Sequence, residues 1–284
     1  MKGFKNIGNT CYLNSGLQML VQNTDLCQLI IKYSSDSEIL NKIAQFINQY
    51  YDEYLPDIIV PQEIKNIMEN KKDLFKDFQQ QDSSEFIIYL LDIIDQEIKK
   101  NHKDIEGIQS IFGIKFNVRI KCKSNECLQI YNREEFNNFL LLDINSNCTS
   151  LEDAYRNFKS GVKLDLDNKY FCEKCQVKRI ASKRHTIDVW PKYISIWLNR
   201  FSQNEKTFIK NNQGIDIPLE WRHNNHLQGA IIHYGSLNSG HYVYVGKQKS
   251  KWYLFNDSSV TEIKSESELK SLLTNVYWLC YKQI

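Results

Sequence analysis

Gly3-Phe4-Lys5-Asn6-Ile7-Gly8-Asn9-Thr10-Cys11-Tyr12-Leu13-Asn14-Ser15 joins a polar, glycine-punctuated turn to a helical pattern, because Leu13, Leu17, Leu20 and Val21 recur at helical spacing. The cysteine stands at the junction. Backbone N–H groups at a helix N-terminus stabilise a thiolate, the nucleophilic form, so Cys11 is a candidate nucleophile. The competing reading is a small buried core cysteine, the usual fate of a lone free thiol. Residues far downstream decide between them.

The chain of 284 residues is long enough for one large domain or two ordinary ones. Lys+Arg 36 against Asp+Glu 34 gives a net charge of +2, which lends no support to a nucleic-acid partner. The eight cysteines are widely spread, Met1-Lys2-Gly3-Phe4 shows no apolar signal region, and no apolar run reaches bilayer length. The expectation is an intracellular, reducing compartment, cytoplasmic and/or nuclear, with no membrane partner. There, cysteine spacing reads as metal binding or catalysis rather than disulfides.

Outward from the opening helix, Ser35-Asp36-Ser37-Glu38 reads as a capping box before the apolar face of Ile39, Ile43, Phe46, Ile47 and Tyr50. Pro61 suits the first turn of a helix carrying Ile64, Ile67 and Met68. Asp82, with Glu85 three residues on, caps a helix through Phe86, Leu90, Leu91, Ile94 and Ile98. From Gly113 the period changes to two: Ile114, Phe116, Val118 and Ile120 alternate with polar residues, a half-buried strand. A second apolar run, Phe139–Leu142, and a short helix over Leu151–Phe158 follow. The last third holds β-branched and aromatic runs at Tyr193–Phe201, Gly229–His233, His241–Val245, Trp252–Phe255 and Val276–Tyr281, which suggest an antiparallel sheet. No internal repeat or Pro/Ser-rich linker divides the chain, so it reads as one folding unit.

A cysteine nucleophile needs a base within hydrogen-bond reach and a group to orient that base. His241, in Asn238-Ser239-Gly240-His241-Tyr242, opens a strand, and the strand from Trp252 ends in Asn256-Asp257, two side chains able to accept an imidazole N–H. Two thiol pairs, Cys122-x4-Cys127 and Cys172-x2-Cys175, have the character of a four-ligand structural zinc site. Cys27, Cys148 and Cys280 lack spacing partners and read as packing residues. The basic segment Lys174–Arg184 reads as a solvated strand face rather than a nucleic-acid contact.

Together these residues resemble the ubiquitin-specific protease family of cysteine deubiquitinases over nearly the whole chain, Gly3 to Tyr281. Asn6 to Ser15 matches the family's Cys box, and Gly240-His241-Tyr242 with Trp252 to Asp257 matches its His box. Between them Gln81-Asp82-Ser83-Ser84-Glu85-Phe86, Tyr170-Phe171-Cys172-x2-Cys175 and Leu198-Asn199-Arg200-Phe201 fall in family order.

The resemblance implies an α+β, papain-like architecture in one catalytic domain: a helical thumb over about 1–110, zinc-tipped β fingers over about 111–189, and an antiparallel β palm over about 190–284. It implies hydrolysis after the C-terminal glycine of ubiquitin through a Cys11 thioester, with ubiquitin and ubiquitinated proteins as partners. His241 would act as base and then acid, Asn256 would orient it, Asp257 would help or substitute, and Asn6 would donate to the oxyanion. Asp82, Glu85, Gly240 and Tyr242 would contact substrate. The loops Ser202–Asn212 and Tyr234–Gly240 would border the tail channel and move on binding. Structural Zn2+ at Cys122, Cys127, Cys172 and Cys175 is the one expected cofactor, none being needed for catalysis, and an activating partner protein fits small enzymes of this kind. The first pair departs from the family's C-x2-C turn, with Asn125 where the thiol normally stands, which makes His185 a substitute ligand to consider. Two competitors remain: a catalytically dead ubiquitin-binding module and a hydrolase for another ubiquitin-like modifier.

Overall fold

The apolar repeat that begins at Leu13 folds as helix α1 (Cys11–Gln22), with Leu13, Leu17, Leu20 and Val21 all buried. The structure is a computed structural model that describes residues 1–77, 79–203, 208–236 and 240–284, without the side chains of residues 202, 203 and 208. Around α1 pack α2 (Thr24–Lys32), α3 (Glu38–Tyr51), α4 (Gln62–Lys71) and α5 (Ser83–Asn101), while β1 (Gly3–Phe4) and β2 (Ile58–Ile59) form a short parallel pair. Ser37 rather than Ser35 caps α3: its Oγ accepts from the Leu40 N–H, and Ser34–Asp36 make a separate 3₁₀ turn. The expected box is thus displaced by two residues, because the second serine stands nearer the buried face that starts at Leu40. Pro61 immediately precedes α4, and Asp82 caps α5 by accepting from the Ser84 and Glu85 N–H groups, both as the sequence suggests.

The middle of the chain supplies α6 (Gln109–Phe112), β3 (Ile114–Cys122), β4 (Ile130–Asn137), β5 (Leu140–Asp143), α7 (Leu151–Ser160), β6 (Val162–Leu164), β7 (Tyr170–Cys172), β8 (Val177–Arg179) and β9 (Ala181–Val189). Strands in the order β4-β3-β9-β6 make a four-stranded sheet, and β7 with β8 makes a hairpin at its end. The alternation in β3 is obeyed: Ile114, Phe116, Val118 and Ile120 are buried.

The last third adds β10 (Tyr193–Asn199), β11 (Phe201–Gln203), β12 (Phe208–Lys210), β13 (Glu220–Trp221), β14 (Asn225–Gly235), β15 (Gly240–Gln248), β16 (Lys251–Asn256), β17 (Ser259–Ile263), α8 (Glu266–Leu273) and β18 (Val276–Gln283). Its main sheet runs β17-β16-β15-β14-β18-β10-β5, with β13 on β14. The strands from the last third are antiparallel to one another, as expected, but the edge strand β5 comes from the middle third and runs parallel to β10. The span 111–189 is therefore shared between the two sheets.

The period of two along this sheet divides its side chains between two cores. Ile231, Tyr244, Phe255 and Trp278 face the helices of the first third, while Ile232, Val243, Val245 and Leu279 face the side holding α7 and α8. One consequence positions the site: α1 lies against β15, so the N-terminus of α1 meets the strand that begins at Gly240. Among the described residues no helix is long and apolar enough to cross a membrane.

Candidate active site

The turn before Cys11 is wound around one side chain. Asn6 Oδ1 accepts from the N–H groups of Gly8 (3.2 Å) and Thr10 (3.1 Å), and Thr10 Oγ1 accepts from the Ile7 N–H (2.9 Å). Asn9 takes a left-handed backbone at φ 52, which lets the chain close this loop and enter α1 at Cys11. Cys11 is both buried and at a helix start, so the two readings of it are not exclusive.

His241, second residue of β15, lies beside the end of β16, where its Nε2 meets Asn256 Oδ1 at 2.7 Å. An amide oxygen only accepts, so Nε2 carries the proton and Nδ1 is left as the acceptor on the other edge of the ring. The ring's pKa is pushed up to about 9, first by the hydrogen bond with the Cys11 side chain, with Asn256 and the charges of Cys11 and Asp257 adding to it against the opposing cost of burial. Asn256 thus holds the ring by one edge, and the Cys11 side chain is the neighbour that most favours its charged form.

Asp257 stands elsewhere. Its Oδ1 accepts from Asn14 Nδ2 (2.7 Å), its Oδ2 from Asn6 Nδ2 (2.9 Å), and its backbone oxygen from the Phe4 N–H (2.8 Å). The carboxylate braces the turn that leads into Cys11, while Asn256 makes the contact to the ring. The close approach depends on Gly3, where a Cβ would come within 2.5 Å of the Ser258 carbonyl oxygen.

Asp82, Glu85 and Tyr242 line one cleft of about 410 Å³, with Gln80, His233 and Tyr277, and Gly240 borders it by donating its N–H to Gln80 Oε1 at 2.9 Å. Asp82 is occupied internally: one oxygen caps α5, and the other accepts from the hydroxyls of Tyr277 (2.7 Å) and Tyr242 (3.3 Å). Glu85 is exposed at the rim, its carboxyl pushed up by partial burial and by the neighbouring charge of Asp82. Of the two bordering loops expected to move, Ser202–Asn212 and Tyr234–Gly240, residues 204–207 and 237–239 lie outside the described residues. Within the first of these loops β11 and β12 pair antiparallel, where the sequence suggested loop alone.

The four thiols Cys122, Cys127, Cys172 and Cys175 converge at the far end of the smaller sheet, with all sulfurs within 4.8 Å of one another. Cys127 and Cys172 are 3.6 Å apart, close to the edge of about 3.8 Å that a tetrahedron with Zn–S bonds near 2.3 Å requires. The longer first spacing is absorbed by a tight turn in which the Cys127 N–H returns to the Ser124 carbonyl (3.2 Å). The four-thiol set is compatible with a structural zinc. His185 is not part of it; its ring stacks on Phe158 with centroids 5.5 Å apart. Cys27, Cys148 and Cys280 are buried free thiols, as packing residues should be.

The sequence model of the family described as ubiquitin carboxyl-terminal hydrolase matches residues 2–281 of the chain. The chain belongs to that family. Among related members, ubiquitin carboxyl-terminal hydrolase Usp2 of Drosophila melanogaster is 26% identical over 99% of this chain, which spans 34% of that protein's length. Ubiquitin carboxyl-terminal hydrolase 4 of Arabidopsis thaliana is 28% identical over 95% of this chain and 87% of its own length. Ubiquitin carboxyl-terminal hydrolase 12 of Salmo salar is 27% identical over 93% and 82%. In this family member three neighbours of the site escaped the sequence reading: Asn14, which holds Asp257, and Gln80 and Tyr277, which hold Gly240 and Asp82. Asn14 carried a signal, since it follows Cys11 by one helical turn; Gln80 and Tyr277 carried none.

Proposed function

We propose that this chain cleaves the isopeptide or peptide bond after the C-terminal glycine of ubiquitin, with Cys11 as nucleophile, His241 as base and acid, and Asn256 orienting His241. Family membership supports a cysteine-type deubiquitinating hydrolase, and the observation that carries the residue roles is the His241 ring held by Asn256 at 2.7 Å on the strand that packs against the helix beginning at Cys11.

Nδ1 of His241 takes the Cys11 proton, giving a thiolate beside an imidazolium, the charge state that the raised pKa of His241 favours. The thiolate attacks the glycine carbonyl carbon, and an Asn6 Nδ2 hydrogen stabilises the oxyanion; one of the amide's two donors is held by Asp257. The tetrahedral intermediate collapses as the imidazolium protonates the leaving amine, which leaves a thioester on Cys11. Water, deprotonated by His241, attacks the thioester and releases ubiquitin with a free carboxylate. Asn256 keeps the same ring edge toward sulfur in both halves.

The basic residues before ubiquitin's terminal glycines suit Glu85, whose carboxylate stands open at the cleft rim, better than Asp82. Tyr242 and Gly240 shape the same passage. In this reading the thumb spans about 1–110, the fingers about 111–189 and the palm about 190–284, and zinc held by the four thiols staples the finger tip. Eight free cysteines suit a reducing cytoplasmic or nuclear compartment, without a nucleic-acid or membrane partner; an activating protein partner is compatible with the fold. Mass spectrometry after incubation with a ubiquitin carrying a C-terminal electrophile tests the reading: one adduct on wild type and none on Cys11→Ala. Adducts only with probes of other modifiers would transfer the activity to them, and no adduct with any probe on folded protein would refute hydrolysis.

A further inference from the structure

Strand β14 outlasts one of its neighbours. Its pairing with β18 ends at Ile232↔Val276, whereas its pairing with β15 runs on through His233↔Tyr242 and Tyr234↔His241 to Gly235↔Gly240. The His233 N–H still reaches the Asn275 carbonyl at 3.3 Å, so the carbonyls of His233 and Gly235, on that same side, lie beyond the end of β18 and pair with no further strand among the described residues. Lys210, last residue of β12, answers both: its Nζ donates to the His233 oxygen (2.8 Å) and to the Gly235 oxygen (3.0 Å). The two carbonyls flank Tyr234, the residue paired with His241.

We propose that Lys210 is a positioning residue for His241: its ammonium replaces the missing strand and fixes the β14–β15 ribbon at the register where the imidazole is mounted. The inference rests on the role given to His241 in the proposed function.

The surroundings make this an expensive place for a cation. Burial and the nearby Arg200 charge push Lys210 down to about 8, and Arg200 is itself spent on the backbone, donating to the carbonyls of Asn211, Gln213, Thr274 and Val276. Lys210 holds an open ribbon end, whereas Arg200 ties the segment after β12 to the start of β18. On the other face of the ribbon the His233 ring stacks on Tyr242 (4.3 Å), and a Cβ at Gly240 would come within 2.2 Å of His233 Nε2. A ribbon gripped on one face by this packing and on its edge by Lys210 leaves His241 little freedom to leave Cys11.

The test compares wild type with Lys210→Met, Lys210→Gln and Lys210→Arg. Two readouts are used: the rate of Cys11 alkylation by iodoacetamide, which needs no ubiquitin, and kcat and KM on a fluorogenic ubiquitin substrate. Folded Lys210→Met is expected to lose about tenfold or more in both alkylation rate and kcat, since small misplacements of reacting groups cost that much. KM should change little. Lys210→Arg, which keeps two donors and the charge, is expected to recover most of the loss. Wild-type alkylation and kcat in Lys210→Met, with only a lower melting temperature, would overturn the proposal, as would equal losses in the Arg variant. If the Met variant does not fold, Lys210→Gln carries the same comparison, with the same two outcomes. A wild type that is alkylated yet ignores ubiquitin probes would refute the proposed function while leaving the alkylation test of Lys210 intact.

Discussion

Asp257→Ala isolates a part of the site that sequence order hides. The carboxylate is hydrogen-bonded to Asn6 Nδ2 and Asn14 Nδ2 rather than to His241, so its loss should act through Asn6, the proposed oxyanion donor. Losing such a donor entirely costs about a hundred- to a thousandfold in kcat, or about 2.7–4 kcal/mol. Asn6 is not freed entirely, because its Oδ1 still accepts from the Gly8 and Thr10 N–H groups. The expected loss in Asp257→Ala is therefore about ten- to a hundredfold, or about 1.4–2.7 kcal/mol. The assay is a double-mutant cycle in kcat/KM on a fluorogenic ubiquitin substrate, with circular dichroism to establish folding. Asn6→Ala should lose the full donor, and the double variant should be no more than about twofold worse than Asn6→Ala, since both changes remove one device. In contrast, Asn256→Ala acts through His241 and should multiply with Asn6→Ala. If the Asp257 and Asn6 effects multiply instead, Asp257 acts on the imidazole and the bracing argument is wrong.

Three further outcomes follow from the geometry. With its pKa raised from 6.5 to about 9, His241 contributes stability that is fully present below about 6.5 and lost as pH rises through 9; the same titration should set a basic limb of kcat/KM near pH 9, moved down in Asn256→Ala, and an unmoved limb would exclude the Asn256 contact. Metal analysis should find zinc bound to the wild-type chain and absent from Cys172→Ser, which should melt earlier yet react with iodoacetamide at Cys11 as wild type does; a metal-free wild-type chain with an unchanged melting curve after chelation would refute the zinc reading. Asp82→Ala should cost about 1–2 kcal/mol of stability through the lost α5 cap, whereas Glu85→Gln should leave the melting temperature alone and raise KM for ubiquitin; the reverse pattern would show that Asp82 is the open carboxylate.

Features with a period were legible in advance. The apolar spacing from Leu13 identified α1, and the alternation from Ile114 identified β3, because each pattern records one buried face. The run Phe139–Leu142 was visible as an apolar run, but its parallel pairing with β10 was not, since a short apolar segment carries no mark of its direction or partner. At the site, Cys11, His241 and Asn256 were readable from motifs, while the hydrogen bonds of Asp257 to Asn6 and Asn14 join residues at opposite ends of the chain.

Asn256 and Asp257 show where the limit lies. In the sequence they are adjacent and chemically interchangeable as partners for an imidazole N–H. β16 ends at Asn256, and the chain turns left-handed at Asp257, with φ 49. Successive side chains of a strand already diverge, and this turn completes the separation, sending one residue to the ring of His241 and the other to the turn that presents Cys11. The sequence pointed both residues at His241, and the structure divides them at the end of the strand. Which residue takes which task depends on where β1 and α1 pack, and that packing is built from Phe4, Gly3 and Asn14 rather than from either residue of the pair.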